Sequence, residues 1–169
     1  MTLLLKPKRG GFLRPFGCAW FIREFLLGHG PYGSPRIHPN VGAPQADIFR
    51  QYKLALMRET SLDWATKVEE RVARKENRSI NPDNIEELAD KYLARLPYKT
   101  IACRFHSFVV YFSDLQKLGW VEFTGIEEPS KFQGHHPPGP PRKYFRLTKA
   151  GKEASDTAWS NPLRALYSQ

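Results

Sequence analysis

Cys103 and His106 stand three residues apart, and His135 and His136 follow further on. Thiolate and imidazole are the ligands zinc takes, so the four invite a metal. No second cysteine pair supports it, since the only other cysteine is Cys18, and burial on an apolar helix face accounts for Cys103. No metal site is expected. Gly28, Gly30 and Gly33 have the density of a phosphate-cradling loop but lack the strand that should precede one. Neither a nucleophile elbow nor a paired-histidine zincin pattern occurs. The sequence therefore predicts a protein that is not an enzyme and uses no cofactor. The chemistry left is that of lysine and arginine, whose natural counterpart is a polyanion.

That charge is unevenly placed. The 169 residues carry 26 Lys and Arg against 17 Asp and Glu, a net +9. Residues 1–40 hold six cations and one acid, residues 41–97 ten of each, and residues 98–169 ten cations and six acids. The excess sits at the two ends, as expected if an N-terminal arm bearing Lys6, Lys8 and Arg9 shares one polyanion with a C-terminal module while the middle is scaffold. Hydrophobic residues make up 41%, enough to build a core without disulfides. Two widely spaced cysteines fit a reducing compartment. Met1 to Leu5 is too short for a secretory signal, and no stretch approaches the roughly 18 apolar residues of a membrane span, so a cytoplasmic, nucleoid-associated protein without a membrane partner is expected.

The elements that would position these charges fall into four stretches. Residues 1–44 read as the basic arm, a short helix from Cys18 to Leu27 and a loop dense in glycine and proline. Residues 45–97 read as a helical scaffold. A first helix from Pro44 to Arg58 has Ile48, Phe49, Tyr52, Ala55 and Leu56 on one face. A second, charged one from Leu62 to Lys75 opens on Thr60 and Asp63 as a capping box. A third starts at Asn81-Pro82-Asp83, and its stripe of Ile85, Leu88, Ala89, Tyr92, Leu93 and Leu96 is the clearest amphipathic pattern in the chain. Residues 98–160 begin with a helix from about Lys99 to Leu118, buried along Ile101, Phe105, Phe108, Phe112, Leu115 and Leu118 and stopped by Gly119. Its outward positions are Lys99, Thr100, Arg104, Ser107, Tyr111 and Asp114. Two strands, Trp120 to Thr124 and Lys143 to Leu147, bracket a proline-rich loop, and Thr148 caps a last helix through Trp159 before a tail over 161–169. The fold class is mainly α with a small β-ribbon (α+β).

Two segments of the C-terminal part are similar to a known family. Leu118-Gly119-Trp120-Val121-Glu122 resembles the LGLVE that closes the recognition helix of MarR- and PadR-type regulators. Arg142 to Gly151 resembles the RRYYRLTEAG that forms their returning wing strand and the next helix start. The resemblance implies a winged helix-turn-helix with additional N-terminal helices, in which the helix from Asn81 is the first of the pair and the helix from Lys99 enters the DNA major groove. It implies Arg104 and Ser107 as base-edge readers, Lys99 and Thr100 on phosphates, and Tyr111 as a further contact or a core residue. From the wing, Lys131, Arg142 and Lys143 would neutralise phosphates, although the loop from Gly125 to Pro141 is longer than such families show and carries Glu127 and Glu128.

The expected function is sequence-specific binding of double-stranded DNA, with transcriptional regulation as the role and no effector assigned. A homodimer reading two half-sites fits such a regulator, with the helices from Gln45 to Lys75 as its surface. The alternative is a winged-helix protein-interaction module in a replication, partition or phage assembly. RNA binding through the basic arm and the aromatics is a third reading.

Overall fold

A computed structural model describes residues 17–101, 103–129 and 140–168. Helix α1 (Cys18–Leu26) is followed by a 3-10 turn (Pro31–Gly33) and a two-residue strand β1 (Ala43–Pro44). Then come α2 (Gln45–Lys75) and α3 (Pro82–Arg95), a second 3-10 turn (Tyr98–Thr100), α4 (Phe105–Lys117), and strands β2 (Val121–Glu128) and β3 (Arg142–Leu147). Three short helices, α5 (Lys149–Glu153), α6 (Asp156–Ser160) and α7 (Pro162–Tyr167), end the described chain. The molecule is mainly helical with one small antiparallel sheet, as the composition and periodicity predict.

The sheet runs in the order β1-β3-β2, so the strand nearest the N-terminus pairs with the last one. Ala43 and Pro44 lie opposite Phe145 and Tyr144. This third strand is absent from the sequence reading, because two residues give no alternation to detect. Gly42 makes the pairing possible: its φ is +71°, and a Cβ there would sit 1.8 Å from the Phe145 carbonyl oxygen. Strand β2 pairs β3 from Val121 opposite Leu147 to Phe123 opposite Phe145, then breaks register and resumes with Glu127 opposite Lys143. Gly119, at φ +73°, turns the chain out of α4 into β2 as predicted.

Four predicted boundaries move. α2 is one continuous helix of 31 residues where two were expected. Thr60 and Asp63 do not restart a helix there, since no glycine or proline between Gln45 and Lys75 ends the first. The helix expected from Lys99 begins at Phe105. Before it, Lys99 lies in the 3-10 turn, while Ile101 is buried and Arg104 takes extended backbone angles. The last helix is broken at Ala154, with Thr148 capping α5 and Ser155 capping α6. The tail is helical, because Asn161 caps α7 and Pro162 opens it.

One core joins α1, the N-terminal half of α2, α4 and the sheet, with Phe21, Ile22, Tyr52, Leu56, Phe112 and Leu115 fully enclosed. Trp159 closes its lower side: its ring centroid lies 4.7 Å from that of Trp120 and its indole N–H donates to the Gly151 carbonyl at 2.9 Å. α3 is not the helix packed against α4. Phe49 of α2 fills that place, with ring centroids 5.3 Å from Phe105 and 5.4 Å from Phe108. α3 folds back along the C-terminal half of α2 as an antiparallel hairpin, reached through a turn in which Asn77 adopts φ +50°.

Candidate nucleic-acid interface

The start of α4 is the polar, exposed end of the core. Arg104 occupies the N-cap position, and Arg104, Phe105, His106 and Ser107 are all exposed. Phe108, Phe112 and Leu115 on the opposite side anchor the helix. An N-terminus built this way presents first-turn amides that no residue of the helix uses, and the helix dipole adds positive potential. Lys99, in the preceding 3-10 turn, is exposed beside it. That turn is held from below by Lys53, whose ammonium sits 3.8 Å over the Tyr98 ring. Burial raises the Tyr98 hydroxyl pKa, and the Arg50 charge on α2 pulls it the other way. Arg50 is exposed and was not among the predicted contacts. Its signal in the sequence was a pair of cations, Arg50 and Lys53, one turn apart beside the apolar face of the helix. Among the described residues, Arg50, Lys99 and Arg104 form no ion pair.

Other predicted contacts fall elsewhere. Tyr111 turns toward the interior and packs against the core. Its hydroxyl is pushed up in pKa by burial first, then by Cys18 and Asp114. With Cys18, Tyr52, Cys103 and Phe108 it lines a cavity of about 310 Å³ that also borders Arg104 and Ser107. Arg142 is tied to Asp47 in the first turn of α2 and lies 3.6 Å from Glu128. The Tyr144 hydroxyl donates to the same Glu128, which raises its pKa. Lys143 is exposed, with its ammonium 5.5 Å from the Phe123 ring centre. The ribbon is therefore less basic than its sequence suggests, with Arg146 also held by Glu122 at 3.0 Å. Lys6, Lys8, Arg9, Lys131, His135, His136 and the Thr100 side chain lie outside the described residues.

Among the described residues, no group of three or more His, Cys, Asp or Glu side chains is arranged to hold a metal ion. No helix there is long and apolar enough to cross a membrane. The surface that remains, an exposed helix start led into by Lys99 and Arg104, neither of them in an ion pair among the described residues, is suited to binding phosphates and hydrogen-bond acceptors. No family model, curated protein or solved structure matches the chain.

Proposed function

We propose that the core is a winged helix that binds double-stranded DNA through the N-terminal end of α4. The topology supports this reading: a helix, a short strand, a helix, the reader helix and a β-ribbon, with the first strand pairing the last, are the parts such a module needs. In this assignment the first helix of the pair is the N-terminal half of α2, and the α2–α3 hairpin is an insertion before the reader helix. The observation that carries the proposal is the exposed start of α4, with the exposed Lys99 and Arg104 leading into it and the exposed Arg50 next to Phe49, which packs on Phe105, none of the three in an ion pair among the described residues. Arg50, Lys99 and Lys143 neutralise phosphates, and Arg104 with Ser107 reaches base edges. Sequence-specific regulation of transcription is the corresponding role.

Fluorescence anisotropy against a random duplex and the DNA upstream of the protein's own gene, titrated across salt, tests it. With three phosphates neutralised, log K should fall with log salt at a slope of roughly −3. Arg104→Ala should cost about 1–3 kcal/mol on the preferred duplex and little on the random one. Absence of binding to both duplexes at physiological salt overturns the proposal. One observation favours a second reading, a protein-interaction module in a replication, partition or phage assembly: Val110 on α4 is 51% exposed, and Phe105 is also open to solvent. Substituting Val110 by Asp separates the two, since it should abolish protein capture in that case and change DNA affinity only modestly.

A further inference from the structure

The hairpin of α2 and α3 leaves an apolar band open. Trp64 is 42% exposed and stands edge-on to Tyr92, with ring centroids 6.4 Å apart. Val68 and Leu88 fall between that rung and the one where Glu69 meets Asn84, and both are only half-buried. Two helices side by side bury a single seam, closed here on the α2 side by Ser61, Ala65 and Ala73. The band lies beside that seam, where none of the described residues covers it.

The charges around the band suit one occupant. Residues 59–95 carry nine acids and seven cations, while the rest of the chain carries eight acids and nineteen cations. The hairpin is thus where two copies of this basic chain meet at least electrostatic cost. Its two rims each hold an acid one turn before a lysine: Asp63 with Lys67 at 2.9 Å on α2, and Glu87 with Lys91 at 3.4 Å on α3. A twofold axis lying across the helices reverses their direction, and so sets Asp63 and Lys67 against Lys67 and Asp63 of a second copy. We propose that a second copy of this chain docks on the band, hairpin on hairpin, as an antiparallel four-helix bundle with Trp64 at its centre. The dimer does not rest on the nucleic-acid reading and stands or falls by itself.

Sedimentation equilibrium of the full chain between about 5 and 200 μM tests it, since association follows mass action. The expected mass is twice that of one chain at the upper concentrations. Trp64→Glu should weaken association about tenfold or more, the loss typical of a central aromatic anchor, with an unchanged far-ultraviolet circular dichroism spectrum. Asp63→Lys should weaken it a few fold, as exposed ion pairs do. Asp63→Lys combined with Lys67→Asp should recover the loss, because both copies then carry the exchanged pair. A single-chain mass throughout, or a dimer that Trp64→Glu leaves intact, overturns the proposal. A double exchange no better than the single one overturns the antiparallel arrangement.

Discussion

Helices α4 and α3 differ by one residue in length, and both carry regular apolar stripes, but their surroundings are opposite. α4, with 13 residues, buries Phe108, Phe112 and Leu115 between α2, α7 and the sheet. α3, with 14, contains no buried residue, although its stripe is the more regular in the sequence. Periodicity reports which face of a helix turns away from water, and it says nothing of how many layers lie against that face. α4 sits within two layers and α3 against one helix. The same contrast separates a part of the molecule that is complete from a part that ends in a half-covered seam.

The largest expected effect comes from breaking the complete side. Phe112 is fully enclosed, and its ring stands 5.2 Å from that of Phe145 and 5.9 Å from that of Phe108. Phe112→Ala should cost about 3–5 kcal/mol, from lost transfer energy and the cavity left behind. Ile85→Ala on α3, where the side chain is only half-buried, should cost about 1 kcal/mol. Urea unfolding of the two variants measures both. Equal losses would mean that α3 is as deeply packed as α4, which would remove the contrast.

The sequence was legible where neighbours along the chain decide the structure. Asn81 accepts from the Asp83 amide and opens α3, Thr148 caps α5, and Gly119 stops α4, all as their residue types require. It was not legible where a distant residue decides. Arg142 reads as an unpaired cation until Asp47, 95 positions away, is brought beside it. β1 exists because β3, a hundred residues on, offers an edge. Ile101 fits the α4 stripe in spacing, yet it is buried from extended backbone, and spacing alone does not separate the two. The assignment of α3 as the partner of α4 failed for a related reason: an uninterrupted α2 carries the chain past the core before α3 begins.

Acid should loosen the incomplete side first. Glu69 is 2% exposed at the far end of the hairpin, where its carboxylate takes hydrogen bonds from Arg78, the Asn81 amide at 3.3 Å and the Asn84 side chain at 3.4 Å. The Arg78 guanidinium, first among these, holds its pKa below the ordinary carboxylate value. A depressed carboxylate contributes stability that is fully present above the unfolded-state pKa and is lost as pH falls through the folded one. Amide protection around residues 76–84, corrected for intrinsic exchange, should therefore drop below about pH 4 while that of α4 persists. Glu59, nearer the core, is raised by burial and then by Asp63, so its contribution runs the other way. Glu69→Gln serves as the control: it should weaken the turn already at neutral pH and flatten the acid dependence. Simultaneous loss in α4 and the hairpin would show one cooperative unit.

The smallest effect should have the opposite sign. Ser61 lies where α2 leaves the core and enters the hairpin, 1% exposed, and its hydroxyl has no hydrogen-bond partner among the described residues. A buried hydroxyl without a partner costs desolvation and returns nothing. Alanine keeps the small cross-section that lets α3 approach, removes the orphaned oxygen, and has the better helix propensity by about 0.5 kcal/mol. Ser61→Ala should therefore stabilise the protein by about 0.5–1.5 kcal/mol, seen as a higher urea midpoint at unchanged slope. If the variant is less stable, the hydroxyl is satisfied in solution, and the junction between the two regions is better packed than the half-covered hairpin beyond it.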